Sequence, residues 1–247
     1  MRLFEFEDEG ATSRTEGYRQ QQVEKEVTLQ RWLQQNPDVL LEETVLVIGR
    51  ETSSGSGPMD LLALDRFGNT IIFEVKIGDT KSESTSEDKI IGQPQRYAAA
   101  IKSWDYEKLN EVYQEYQNEI ASEKWNVDDS TMTNDSLTDA FDNVFGTTPN
   151  QFNYYQRMVI VAEEVTSSTA QTARYLQRGP GRKSNIQCVQ VQQFTSPDDS
   201  LHSVLASTMV VDYDLSRVRP SVYTNPPHHS YSVKSMSNLF QPFNASW

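Results

Sequence analysis

The chain has 247 residues, 36% of them hydrophobic, and a formal net charge of −13. This length suits one large domain or one domain with appendages, and no apolar run approaches the roughly 20 residues of a membrane-spanning helix. The single cysteine, Cys188, excludes an internal disulfide, and with an acidic N-terminus unlike a signal peptide it predicts a cytoplasmic protein. A negative net charge is unusual for an enzyme that acts on nucleic acids, but the binding of nucleic acid depends on the local charge of a surface rather than on the total charge.

The first part of the chain is predicted to contain one helix and one strand. Residues 1–18 form a polar, acidic N-terminal segment. Apolar residues at helical spacing predict a helix from Arg19 to Gln35. β-branched residues predict a strand over Thr44–Gly49, and the Ser- and Gly-rich residues 51–58 predict a flexible loop on the substrate side.

The next two strands form the stretch on which the functional prediction depends. Two apolar runs, Met59–Leu64 and Thr70–Val75, have the length and composition of strands. The turn between them has Gly68 in the third position, as a three-residue hairpin loop requires for its left-handed conformation. Both faces are largely apolar, which predicts central strands that are buried on both sides.

The register of this hairpin brings two carboxylates together. With Phe67 at the tip, Asp60 lies opposite Glu74, and Lys76 lies two residues further on the same face. Directly opposed like charges are destabilising, and a divalent cation would neutralise them. The alternative is that these side chains are simply solvated at the open end of the hairpin, although burial on both faces makes unpaired carboxylates costly.

A helix is predicted over Glu87–Trp104, after a polar connection. Pro94 implies either a kink or a helix that begins at Gln93, with proline in the first turn. Both alternatives place Gln93 and Tyr97 on one face, four residues apart. A surface amide beside a tyrosine at the edge of the core is the alternative to a functional role for this pair.

The remaining elements complete an α/β pattern with a mixed sheet flanked by helices. Residues 105–156 are interpreted as a helical and polar insertion, and residues 195–247 as a C-terminal extension. Either is a candidate surface for a homodimer or a partner protein. The elements predicted are a helix over Asp105–Lys124, a strand over Arg157–Ala162, a helix over Ser168–Gln177, a strand over Ile186–Val191 and a candidate strand over Thr208–Leu215.

One basic stretch occurs in the otherwise acidic chain. Between Val165 and Ser196 there are four cationic side chains and no Asp or Glu. The stretch is the best candidate for a phosphate-facing surface, and a plain surface helix with a basic last turn is the alternative. The four cations are Arg174, Arg178, Arg182 and Lys183.

Three motifs occur in a fixed order along the first hundred residues. Glu26–Pro37 contains a glutamate before Leu-x-x-Trp-Leu-x-x-Asn-Pro, Asp60 is followed fourteen residues later by Glu74-Val75-Lys76, and Gly92–Tyr97 comes next. This ordered set resembles the PD-(D/E)xK nuclease superfamily, and is similar to the nuclease domain of the NucS/EndoMS endonucleases and of RecB-like nucleases. The resemblance covers residues 20–104 well and residues 156–194 more loosely.

The resemblance implies a set of catalytic and metal-binding residues. Asp60 and Glu74, with the Val75 carbonyl, would bind Mg²⁺ or Mn²⁺, and the metal would lower the pKa of an attacking water. Lys76 would orient that water or stabilise charge at phosphorus. Glu26 would bind the metal directly or through water.

Further assignments depend on the same resemblance. Gln93 would position the site from its helix, and Tyr97 would lie beside it as a nucleic-acid contact. Glu24 is an alternative to Glu26 that spacing does not exclude.

The fold implied by the resemblance is a restriction-endonuclease-like mixed sheet, with residues 19–104 and 157–194 as the two halves of a nuclease core. The function implied is metal-dependent hydrolysis of DNA by an endonuclease in repair or defence. A catalytically silent nuclease-fold module that binds DNA or protein is the alternative. The acidic charge favours the silent module, whereas two opposed carboxylates favour the enzyme.

Overall fold

The structure, a computed structural model, describes residues 18–78, 87–122, 124–125, 136–178, 185–195 and 203–212. The α/β class with a mixed sheet and flanking helices is confirmed. The elements are β1 (Arg19–Gln21), α1 (Glu26–Gln35), α2 (Pro37–Leu41), β2 (Leu46–Ser53), β3 (Pro58–Leu64), β4 (Thr70–Lys76), α3 (Glu87–Ile101), α4 (Tyr106–Ala121), α5 (Leu137–Phe145), β5 (Gln156–Ala162), α6 (Ser167–Arg178), β6 (Asn185–Thr195) and β7 (Ser203–Val211).

All seven described strands belong to one open sheet. Strands β2, β3 and β4 form an antiparallel meander, and β4, β5 and β6 run parallel to one another. Strand β7 is antiparallel to β6 along most of its length, and β1 pairs with the last three residues of β6. Each parallel connection passes through helices, as parallel pairs require.

Helices cover both faces of this sheet. On one face, Leu29 and Leu33 of α1 pack with Leu61, Phe73 and Val75 of the hairpin. On the other face, α3, α4 and α5 contribute to a second cluster that includes Leu62, Leu64 and Ile72, and α6 packs beside α3 over β5 and β6. The helices of residues 105–156 therefore share the main core.

The predicted hairpin register is confirmed between Leu61 and Leu64. Leu61 pairs with Phe73 and Leu64 with Thr70, and Gly68 has a φ of +77° in the turn. The pairing does not continue to Asp60. Met59 also packs in the cluster of Leu62 rather than that of Leu61, because strand alternation is lost where the pairing with β4 ends.

Two predictions near the N-terminus are wrong. Arg19–Gln21 is the strand β1, and the helix begins only at Glu26. The three residues of β1 are exposed and polar, so their conformation is set by pairing with Gln193–Thr195 of β6 rather than by their own pattern. The predicted loop over residues 51–58 is shorter, because β2 continues to Ser53 and β3 begins at Pro58.

Later differences concern element boundaries. Helix α3 begins at Glu87 with Pro94 inside it, so the alternative that begins at Gln93 is wrong. Helix α5 was not predicted, although Ser136 and Asp139 form a capping box and Gly146 ends the helix in the left-handed region. Strand β7 begins at Ser203 and ends at Val211, so the predicted start of the candidate strand over Thr208–Leu215 is five residues too late. Residues 1–17 and 213–247 lie outside the described residues.

Candidate active site

The predicted carboxylates lie at one end of the sheet. Asp60 is near the start of β3, Glu74 and Lys76 are at the end of β4, and Glu26 is the first residue of α1. Strands β4, β5 and β6 are parallel, so this is the edge at which their carboxyl ends meet. Ligands of open α/β sheets bind at such an edge.

Asp60 is tied to β4 through its side chain. Its Oδ2 accepts a hydrogen bond from the Val75 N–H at 2.7 Å. The carboxylate thus takes the place of a backbone carbonyl just where the β3–β4 pairing ends. Opposite this point on β2, Glu51 has a φ of +48°. The register therefore leads Asp60 to β4, but the contact is a side-chain hydrogen bond and not the simple opposition with Glu74 that was predicted.

Glu74 is a fully buried carboxylate. Neither of its oxygens accepts an N–H from the backbone or from an amide side chain of the described residues. Lys76 Nζ lies 2.7 Å from Glu74 Oε1 in a close ion pair. The same Nζ is 4.0 Å from Glu26 Oε1. Lys76 is thus the cation of a cluster that contains three carboxylates.

Burial and repulsion shift the pKa values of these groups. Burial, followed by the charge of Asp60, raises the pKa of Glu74 to about 7. Burial also raises the pKa of Asp60 to about 6, against the hydrogen bond from the Val75 N–H. Burial is the largest single influence on the pKa of Lys76 and lowers it, but the contact with Glu74 and the charges of Asp60 and Glu26 together outweigh burial, so the pKa is raised. Both carboxylates therefore hold protons more tightly than free acids do.

The structure distinguishes Glu26 from Glu24. Glu26 is half-buried and lies near Lys76, whereas Glu24 is exposed and occurs in none of the ion pairs among the described residues. Gln30, one helical turn after Glu26, donates from Nε2 to Glu26 Oε1 at 3.4 Å. Glu26 is thus the glutamate at this cluster.

Gln93 and Tyr97 contact each other on α3. Gln93 Nε2 donates to the Tyr97 hydroxyl at 2.7 Å. Tyr97 is only 2% exposed and packs in the cluster of Leu62 and Ile72. Its ring lies against Gly57, which has a φ of +123° and precedes β3. The structure places Tyr97 in the core as a support for Gln93 and for the entry to β3.

A further carboxylate at this edge was not predicted. Glu163 follows β5, and its oxygens accept the N–H groups of Val23 at 2.5 Å and of Gly78 at 2.6 Å. Its own N–H donates to the Lys76 carbonyl at 3.3 Å. Glu163 therefore links the segment before Glu26 to the segment after Lys76. Glu163 belongs to no sequence motif. The feature of the sequence that could have indicated it is its position directly after a predicted parallel strand.

Arg174 and Arg178 lie on the exposed side of α6, away from this cluster. Arg174 donates to the Val210 carbonyl of β7 at 2.8 Å. Strand β7 is three strands away from β4 in the sheet, a distance of about 14 Å from strand spacing. The two other basic residues of this stretch, Arg182 and Lys183, lie outside the described residues.

No group of three or more His, Cys, Asp or Glu side chains in the described ranges is arranged to hold a metal ion. Among the described helices, none is long and apolar enough to cross a membrane. Comparison with models of known families, with curated proteins and with solved structures found no match to the chain.

Proposed function

We propose that this chain is a divalent-metal-dependent nuclease of the PD-(D/E)xK type that hydrolyses phosphodiester bonds in DNA. The observation that supports it best is Glu74, a fully buried carboxylate beside Asp60 that is paired with the Lys76 ammonium and accepts no backbone or amide N–H among the described residues. Burying a charge without satisfying it costs free energy. Strongly perturbed acids are concentrated at functional sites, and a ligand would supply the missing partner.

The donors at this site suit Mg²⁺ or Mn²⁺. Within the described structure the Glu74 oxygens accept no backbone or amide N–H, and Asp60 adds a second carboxylate. In an extended strand, the N–H and C=O groups of one residue point toward the same neighbouring strand. Because the Val75 N–H donates to Asp60, the Val75 carbonyl also faces the Asp60 side. Hard oxygen donors are the ligands that these cations prefer. A bound metal would lower the pKa of a water and neutralise charge on the scissile phosphate.

The other residues of the cluster have separate roles in the proposal. Lys76 stays protonated because its pKa is raised, so it can stabilise negative charge that develops at phosphorus or orient the attacking water. Glu26 completes the carboxylate set from α1. Gln93, whose amide is oriented by Tyr97, supports the site from α3.

DNA as the substrate is supported by the basic face of α6. Arg174 and Arg178 lie in a stretch without acidic residues, and a polymer can contact both this face and the carboxylate cluster. A restriction-endonuclease-like core, endonuclease action and a role in repair or defence belong to the same proposal. The mixed sheet with helices on both faces is compatible with that core.

The proposal is tested with circular single- and double-stranded DNA in Mg²⁺, Mn²⁺ or EDTA. The wild-type protein should cut circles only with metal, and Asp60→Ala should abolish cutting while its circular dichroism spectrum stays near wild type. Glu26→Ala should slow cutting, whereas the matched control Glu24→Ala should not. Undiminished cutting by Asp60→Ala would refute the mechanism. DNA binding by a protein that never cuts would instead favour the silent module.

A further inference from the structure

A buried amide on α1 lies beside the carboxylates and belongs to no motif. Gln30 is four residues after Glu26, so both side chains lie on one face of the helix. Gln30 is 6% exposed, and its Nε2 donates to Glu26 Oε1 at 3.4 Å. Lys76 approaches that same oxygen at 4.0 Å. Gln30 therefore contacts the cluster directly.

This hydrogen bond directs the Glu26 carboxylate toward Lys76. The Glu26 side chain is 37% exposed, so without a partner it could adopt several orientations, whereas the Gln30 amide is buried beside it. The Gln30 amide therefore limits the orientations that the Glu26 carboxylate can adopt at the cluster.

We propose that Gln30 is a positioning residue that holds the Glu26 carboxylate in one orientation for a divalent cation bound at the carboxylate cluster. The inference rests on the proposed function and adds a residue to it. A neutral amide suits this role because it satisfies carboxylate oxygens without adding a positive charge that would repel the metal. Groups that hydrogen-bond to metal-binding side chains fix their orientation, and their loss typically weakens metal binding by about 10- to 100-fold.

Gln34 provides a matched control on the same helix. It is also a buried amide, 5% exposed, one turn further along α1. Its partners are Arg50 NH1, which donates to Oε1 at 2.8 Å, and the Tyr116 hydroxyl, which accepts from Nε2 at 2.7 Å. Loss of either glutamine removes a buried amide from α1, but only Gln30 contacts the carboxylate cluster.

The experiment measures Mn²⁺ binding by calorimetry with full-length wild type, Gln30→Met and Gln34→Met, without DNA. Methionine keeps the length and the helix propensity of glutamine but has no N–H donor. Gln30→Met should raise the dissociation constant for Mn²⁺ by about 10- to 100-fold. Gln34→Met should leave it unchanged, and thermal melts in EDTA monitor folding. Gln30→Asn, whose shorter amide does not reach Glu26 Oε1, should weaken binding in the same direction and serves if Gln30→Met does not fold.

Wild-type Mn²⁺ affinity in Gln30→Met, or equal weakening in Gln30→Met and Gln34→Met, would overturn the role of Gln30. Loss of affinity in Gln30→Met alone would support it, even if the wild-type protein failed to cut DNA, and in that case the nuclease proposal alone would fail. A wild-type protein that binds no Mn²⁺ would overturn both.

Discussion

Asp65 and Glu74 are both fully buried carboxylates, and they lie at opposite ends of the β3–β4 hairpin. Asp65, at the turn, is satisfied by its surroundings. Its Oδ1 accepts the N–H groups of Phe67 and Asn69, and its Oδ2 accepts the Asn69 amide and Arg157 NH1. Glu74 accepts no backbone or amide N–H among the described residues, and the Lys76 ammonium lies 2.7 Å from its Oε1.

Arg157 makes the difference between the two ends larger. Its guanidinium is 1% exposed, pairs with Asp65 at 3.3 Å and Glu43 at 2.5 Å, and donates to Gln187 at 2.9 Å. The turn end is therefore a paired ionic network, whereas the other end is a cluster of three carboxylates with one ammonium. Both ends lose hydration on folding, but among the described residues the Glu74 carboxylate has fewer hydrogen-bond donors than Asp65. Unsatisfied acceptors, and not burial or charge alone, separate the candidate site from a structural ion pair.

Removal of the buried cation should produce the largest effect at the turn end. Arg157→Met leaves Asp65 buried without a cation, so the free energy of unfolding should fall by about 3–5 kcal/mol. Lys76→Met should cost less, because Glu74, with its pKa already raised to about 7, can take up a proton instead. Urea denaturation at neutral pH compares the two variants. Equal losses would mean that the two ends do not differ in this way.

The same substitution should have opposite signs at the two ends. Asp65→Asn replaces an acceptor by a donor among buried N–H groups and should lower the free energy of unfolding by about 1–3 kcal/mol. Asp60→Asn removes a charge that repels Glu74, so in EDTA this variant should melt above wild type. Thermal melts of both variants make the test, and a lower melting temperature for Asp60→Asn would contradict it.

Metal should reverse the order of the melting temperatures of wild type and Asp60→Asn. Mg²⁺ or Mn²⁺ that binds only the folded wild type at a hundredfold excess over Kd stabilises it by about 2.7 kcal/mol. The same metal should do much less for Asp60→Asn. An equal metal response in both proteins would mean that Asp60 and Glu74 do not share a cation.

The pH dependence follows from the raised pKa values. The pKa values of Asp60 and Glu74 are 3.8 and 4.5 in their ordinary, unfolded state, and burial in the folded protein raises them to about 6 and about 7. The folded state thus binds more protons within this window, and the pair stabilises the fold less as pH rises. In EDTA, the advantage of Asp60→Asn over wild type should grow from pH 4 to pH 7 by thermal melts. A difference in melting temperature that does not change with pH would contradict the raised pKa values.

The smallest expected effect comes from two equivalent hydroxyls. Tyr97 accepts from Gln93 and Tyr116 from Gln34, both at 2.7 Å, so either Tyr→Phe change should cost about 0.5–1.5 kcal/mol of stability. Only Tyr97→Phe should also lower kcat, because Gln93 is proposed to support the candidate site and Gln34 is not. Cleavage assays at saturating metal check this, and equal kcat values would remove Gln93 from the site.

Local physical chemistry made the hairpin and its register predictable. The apolar alternation, the strand lengths and the left-handed Gly68 are features of neighbouring residues. They are enough to predict that Asp60 and Glu74 lie at the same end of the hairpin. The i, i+4 spacing of Gln93 and Tyr97 likewise depends on helix geometry alone. Helix α5 was missed although its capping box is local, because the surrounding residues are polar and show little periodicity.

Only the tertiary structure decided which charges are paired. The contact of Arg157 with Asp65 joins residues 92 positions apart, and Glu163 reaches Val23 across 140 positions. Strand β1 is likewise formed by pairing with distant β6, since its own residues are polar and exposed. The sequence by itself determined which strands are buried and which residues share a face, because those depend on backbone periodicity. The partners of a buried charge depend on how distant elements pack, and this is why Asp65 is satisfied by Arg157 while Glu74 meets no such distant donor among the described residues.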